Sequence, residues 1–371
     1  MKKKDDALAF SGFEGCASSR EYYWHLAADK ESQWDRFPRA HSWEWVVNPG
    51  QTQCDDLGPV DPEKIVKHLV EDGGMGDSVT ENHFFSLSCL LYPHVIATPN
   101  YTEGGSFDRG WPQNLYLNPS SPFLRHISFP DGFDITATPL VTFRRIDLLF
   151  SQAEILDIHR SVYPSRPQAF KLFSDEVVWT LPVAEYLDLF TSPLPLGNYA
   201  TMVVSTAGHW TTTLFSGYRD ENKADFGYGV DGLLSFFKEA MTIWAHEVQA
   251  VLGKQHRSVR FGRPAKKRRV LVRSYLLGHE DCHAVREPWA EVQPFIWDWY
   301  NWGYIGAFNR VFENVLAERV KFPDIYYLPI DHPGRLRPDA HTTGDCLHIM
   351  TGAGVLEGWT HYIWHYVTRN L

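Results

Sequence analysis

An α/β fold with a layered sheet of parallel strands is predicted by two observations. Helical periodicity alternates along the chain with short β-rich runs, and 371 residues with 44% hydrophobic and 15% aromatic content can bury a large core. The stretch Asp61 to Val70 carries apolar residues at helical spacing behind an Asp-Pro start signal and reads as a helix. Val79 to Leu91 reads as a second helix, which puts Ser78 at a helix N-terminus, where backbone N–H groups stabilise an oxyanion. β-Branched and aromatic residues mark strands at Ile135 to Phe143, Tyr199 to Ser205, Val270 to Leu276 and Ile325 to Ile330. Long amphipathic helices are expected over Val230 to Leu252 and Trp297 to Val320. Thr98 to Pro130, rich in Pro, Gly, Asn and Ser, lacks periodicity and is expected to be an irregular surface excursion. Its Tyr101, Phe107, Trp111, Tyr116 and Phe123 either stack on sugar rings or pin the loop to the body. No internal repeat and no low-complexity segment is visible.

Composition narrows the partners. A formal charge of -10 argues against a polyanion binder, so nucleic acid is not an expected partner. The run Lys266 to Arg269 reads as a solvated approach to a strand rather than an anion patch. No apolar run reaches the roughly eighteen residues that span a bilayer, so no membrane segment is expected. Met1 to Asp6 is basic with no apolar stretch behind it, so no secretory signal is read there. Five cysteines cannot all pair within the chain, and Asn100-Tyr101-Thr102 is a glycosylation sequon, whereas Pro119 disqualifies Asn118. The cysteines and the sequon point toward the secretory pathway. His361 and His365 share one helix face at metal-ligand spacing, but Tyr362, Ile363 and Trp364 between them favour core packing. No metal and no other cofactor is expected.

Two short signatures carry the chemistry. Gly76-Asp77-Ser78 and Asp345-Cys346-Leu347-His348 together supply a nucleophile, a base and a carboxylate to orient the base. A Ser early in the chain and Asp-x-x-His near its end differ from the layout of the Gly-x-Ser-x-Gly hydrolases and point to a GDSL (SGNH) type of acyl-transfer site. In such a site a buried apolar strand leads into the serine. Here Glu71-Asp72-Gly73-Gly74-Met75 offers one apolar side chain, so the strand is expected to be truncated or missing. That expectation motivates a rival reading as an impaired, glycan-binding protein.

Gly76-Asp77-Ser78 with Val79 to Leu90 behind it resembles the GDS block of the PC-esterase, or trichome-birefringence-like, polysaccharide O-acetyltransferases of plants and fungi, and the spacing to Cys89 fits. Ser42-Trp43-Glu44-Trp45 and Cys54-Asp55-Asp56-Leu57 resemble the elements that precede that block. Ser205 to Trp210 resembles the family's Gly-His-Trp block, and Arg337 to His341 followed by Asp345 to His348 resembles its Asp-Ala-His and Asp-Cys-x-His blocks. Glu81 departs from the pattern, since plant members have arginine there.

The resemblance implies a three-layer α/β/α GDSL/SGNH-like catalytic domain over 61–371, with the irregular insertion at about 98–130 and an N-terminal segment, 1–60, packed on the core. It implies Ser78 as nucleophile, His348 as base and Asp345 as its orienting carboxylate, with acetyl passing from a donor through the serine to a polysaccharide hydroxyl. A carbohydrate esterase would use the same triad and let water finish the reaction. Gly76, Asp77, Val79, Asn82 and Gly208 are implied around the oxyanion or substrate, and His209 and Trp210 either bind substrate or shape the pocket. Asp339 and His341 are expected to pair and so position the catalytic loop, and a Cys282–Cys346 bridge is expected to staple it. A Golgi or extracellular setting follows from the same resemblance.

Overall fold

The computed structural model describes residues 1–46, 60–77, 81–102, 110–167, 169–258, 267–295 and 300–369, with backbone alone at 74–77 and 255–258. The fold is mixed α/β. Its strands are β1 (Gly74–Asp77), β2 (Val95–Thr98), β3 (Gln113–Leu117), β4 (Val141–Phe143), β5 (Tyr199–Val204), β6 (Arg269–Arg273) and β7 (Ile325–Leu328), lying side by side in the order β2-β3-β4-β1-β5-β6-β7. From β4 to β7 every neighbouring pair is parallel. β3 runs antiparallel to both β2 and β4.

The helices are α1 (Asp6–Ser11), α2 (Tyr22–His25), α3 (Pro62–Glu71), α4 (Glu81–Leu90), α5 (Gln152–Val162), α6 (Val183–Thr191), α7 (Val230–Ser258), α8 (Ile305–Leu316) and α9 (Val355–Arg369). Successive strand side chains point to opposite faces of a sheet, and helices cover both faces here. Met202, Val204, Val270 and Val272 pack among the residues of α5 to α8, while Val203, Leu271 and Leu328 pack among those of α4 and α9. That double burial explains why β5 and β6 read as nearly unbroken apolar runs. Local signals set the helix starts: Asp61 accepts from the N–H groups of Glu63 and Lys64 ahead of α3, and Ser151 with Glu154 forms a capping box on α5.

The strand expected to be truncated or missing is present in a short form of four residues. β1 is short, yet it sits in the middle of the sheet, with Gly76 in register with Thr142 of β4 and Met202 of β5. A Gly-Met-Gly-Asp strand offers little side chain to read, and its backbone pairing on both edges holds it in place instead. Gly73 just before it has φ +126, and a Cβ there would lie 2.7 Å from the Ala200 side chain, so only glycine fits.

Other expectations need correction. The stretch expected to be irregular supplies β3, whose Leu115 and Leu117 are fully buried. Phe123 is buried and Tyr101 is held by Arg20, whereas Trp111 is exposed and Phe107 lies outside the described residues. Arg268 and Arg269 are not a solvated approach, since they donate to the carbonyls of Tyr199 and Val367. α8 begins at Ile305 rather than near Trp297, which lies outside the described residues.

The N-terminal segment joins the core through Ala7, Leu26, Phe37 and Ala40, and a Cys16–Cys89 disulfide fastens it to α4. A second disulfide joins Cys282 and Cys346, while Cys54 lies outside the described residues. Two disulfides fit a secreted or lumenal protein, and no helix among the described residues is long and apolar enough to cross a membrane.

Burial also makes stability depend on pH. His83 on α4 bonds Thr360 of α9, and desolvation, followed by the charge of Arg273, pushes its pKa down to about 3. A histidine with a depressed folded pKa is neutral in the fold and protonates more readily when unfolded. Its contribution is therefore whole above its unfolded pKa near 6.5 and fades as pH falls toward the folded value. Between pH 7 and pH 5, His83 alone is expected to remove on the order of 2 kcal/mol of unfolding free energy. Denaturant titrations of the parent and of His83→Gln at the two pH values isolate it from other buried histidines such as His41, and an identical pH dependence in the two proteins would refute the assignment.

Candidate active site

In a sheet of this kind the loops beyond the carboxyl ends of the parallel strands are the natural place for a site. Arg145 and Asp147 follow β4, His209 follows β5, and Tyr275 lies just past β6. These side chains and His348 line one cleft that opens to solvent. Ser78 is the residue after the last one of β1 in the chain; it and Val79 lie outside the described residues, and Gly76 and Asp77 are described as strand backbone.

Asp345 and His348 form a tight local unit. Oδ1 of Asp345 accepts from the backbone N–H groups of Leu347 and His348, each at 2.9 Å. Nδ1 of His348 stands 2.8 Å from Oδ2 and 3.0 Å from Oδ1. A carboxylate only accepts, so Nδ1 carries the hydrogen and Nε2 keeps a lone pair for a proton. Burial alone would raise the Asp345 pKa. The bond and charge of His348, with the two backbone donors, outweigh burial and hold the carboxyl well below the usual range. The pair is thus an oriented imidazole backed by a permanent anion, an arrangement that can serve as a general base. The edge of Trp24, from α2, packs against the His348 ring with centroids 5.3 Å apart.

The loop carrying this pair is held from several sides. The Cys282–Cys346 bridge anchors the residue after Asp345. His341 Nδ1 donates to the His348 carbonyl at 3.0 Å, and its Nε2 meets Nδ1 of His279 at 2.6 Å. Asp339 does not pair with His341. It binds Arg337 at 2.9 and 3.0 Å, and Arg337 reaches on to the carbonyls of Ala40 and Ala353. Asp339 therefore supports the loop through the arginine. The expected pairing fails because His341, fully buried, spends both ring nitrogens on His348 and His279.

The residues of the Gly-His-Trp block separate. His209 lines the cleft, with its Nε2 3.6 Å from Oδ1 of Asp147. Desolvation lowers its pKa against the raising influence of Asp147, and Arg145 and His348 lower it further. Trp210 is not in the cleft: it is fully buried, stacks on Phe215 and donates to Thr206. A Cβ on Gly208 would lie 2.5 Å from the Tyr275 hydroxyl, so the glycine makes room for the tyrosine. Asn82 lines the cleft and donates from Nδ2 to the Ile349 carbonyl at 2.9 Å, which commits one of its two N–H groups to the fold.

Glu81 is neutralised in an unexpected way. It forms an ion pair with Arg20 at 2.5 Å and accepts from Gln113 at 2.7 Å, while Arg20 also donates to the Tyr101 hydroxyl. The cation thus comes from the N-terminal segment. Among Cys282, His283 and Cys346, the ligand-type group found among the described residues, two members are tied up in the disulfide.

Sequence reasoning missed Trp24, Arg145, Asp147 and Tyr275. The last three sit at or just beyond predicted strand ends, so the strand-end rule carried a signal for them. Trp24 carried none.

Comparison of the chain with models of known protein families, with curated proteins and with solved structures found no match.

Proposed function

We propose that the protein is an acyl-serine enzyme of the GDSL/SGNH type, an O-acetyltransferase that moves acetyl groups onto polysaccharide hydroxyls in the manner of the PC-esterase family. The observation that carries this reading is the Asp345–His348 pair on a cleft at the carboxyl ends of the parallel strands, with Ser78 next in the sequence after β1. Helices on both faces of the sheet fit the three-layer arrangement that the reading requires. In it, Ser78 attacks the carbonyl of an acetyl donor while Nε2 of His348 takes the hydroxyl proton. The collapsing intermediate expels the donor's leaving group, which takes that proton. A sugar hydroxyl then gives its proton to the same nitrogen, attacks the acetyl-serine, and the serine oxygen recovers the proton as it leaves. A Golgi or extracellular setting suits such an enzyme and agrees with two disulfides.

Brief incubation with an activated acetyl ester, followed by intact-protein mass measurement, tests the reading. A stoichiometric adduct on Ser78, absent in Ser78→Ala, is expected. Added glycan should discharge it faster than water does; discharge by water alone would make the protein a carbohydrate acetyl esterase. No adduct and no ester turnover by a folded sample would overturn both and leave glycan binding without chemistry.

A further inference from the structure

We infer that His209 and Tyr275 form a two-point clamp for a pair of neighbouring hydroxyls on a neutral sugar, with Asp147 and Arg145 setting the orientation of His209. The inference rests on the acyl-transfer reading for its place in a reaction, since it assigns the acceptor side of the same cleft.

Both groups line the cleft, His209 with its Nε2 3.6 Å from Asp147 and Tyr275 with its hydroxyl against Gly208. They are neighbours, because the Tyr275 oxygen lies against Gly208, the residue before His209. Their hydrogen-bonding senses are complementary. Nε2 of His209 stands 3.6 Å from Oδ1 of Asp147, beyond hydrogen-bond length, and the carboxylate's charge favours the ring hydrogen on that nitrogen, which leaves Nδ1 as an acceptor. Tyr275 stays a donor at neutral pH, since burial, followed by the charge of Asp147, pushes its pKa up to about 12. One acceptor beside one donor, both uncharged, matches a hydroxyl that donates next to an oxygen that accepts. A carboxylate would leave Nδ1 unsatisfied.

Asp147 is built to hold this arrangement rather than to meet the ligand. Its Oδ1 accepts from Nε of Arg145 at 3.1 Å and its Oδ2 from the Trp179 N–H at 2.9 Å. Arg145 in turn lies 4.0 Å over the Trp179 ring. Asp147 and Arg145 are therefore positioning residues. Gripping a hydroxyl beside the reacting one turns the sugar about the transferred bond, so the clamp would determine which hydroxyl meets the acyl group.

Binding and transfer test the clamp separately. The probes are methyl β-D-glucopyranoside and its 2-deoxy and 3-deoxy analogues, titrated into the full chain by NMR. The parent is expected to bind the glucoside roughly 5- to 10-fold more tightly than at least one deoxy analogue. Tyr275→Phe should erase that difference by weakening the glucoside alone, and His209→Ala should do the same. Asp147→Asn should shift the imidazole nitrogen resonances of His209 away from the single Nε2–H tautomer, which a merely structural aspartate would not do. Equal weakening of all three probes in Tyr275→Phe, or no binding of any probe to the parent, would overturn the clamp. A parent that binds with this preference but forms no adduct would leave the clamp standing and refute the acyl-transfer reading.

Discussion

Asp345→Asn is expected to lower turnover of an activated acetyl ester about 10,000-fold while leaving the fold intact. The carboxylate accepts three hydrogens, from the N–H groups of Leu347 and His348 and from Nδ1 of His348. An asparagine can keep the two backbone bonds with its oxygen, but its amide nitrogen then faces the imidazole and donates. Nδ1 must become an acceptor, the ring hydrogen moves to Nε2, and the nitrogen that should take the serine proton has none of its lone pair left. Asp345 lies well below the usual carboxylate range, so it stays charged throughout the neutral region and its titration does not shape activity there. Initial rates with the activated ester measure the effect, with circular dichroism as the check on folding. Ser78→Ala and His348→Ala should abolish turnover, and full activity in any of the three would remove the triad.

Asp339→Ala is expected to cost about 3–5 kcal/mol of stability. Both members of the Arg337–Asp339 pair are 1% exposed, and the two bonds between them match the fork of the guanidinium to both carboxylate oxygens. Removing the carboxylate leaves a guanidinium buried without its counter-ion, still tied to the carbonyls of Ala40 and Ala353. Replacing both partners together, as Arg337→Met with Asp339→Leu, should cost less than the single change, because no unpaired charge remains. Urea unfolding of the three variants gives the comparison. A single-variant loss below about 1 kcal/mol would show that the pair does not hold the loop.

What was legible in the sequence follows from where each signal is stored. β5, β6 and β7 are buried on both faces, and their apolar runs announce them. β1 holds its place through backbone pairing with β4 and β5, and nothing in Gly-Met-Gly-Asp advertises that. β3 was hidden by the polar turn residues around it. At the site, Asp345 and His348 lie within one turn of chain, so spacing alone brought them to notice. Asp147, His209 and Tyr275 come from the ends of three strands, and only the strand order makes them neighbours. Trp210 looked like its neighbour His209 in the sequence but faces the core, because the turn after β5 sends consecutive side chains to opposite sides.

The contacts between the first forty residues and the loop that ends at His348 also set a timetable. Arg36 holds the His341 carbonyl across 305 residues of sequence, Arg337 holds Ala40 across 297, and Lys30 holds the Thr343 carbonyl across 313. A ribosome releases Arg36 ahead of its partner His341 by 305 residues, so Trp24 has nothing to close over until His348 has emerged. Closing loops this long is slow and leaves apolar surface waiting. The cleft should therefore mature late, and a chain stopped short of His348 should expose the N-terminal residues to chaperones or proteases instead of folding around an empty site.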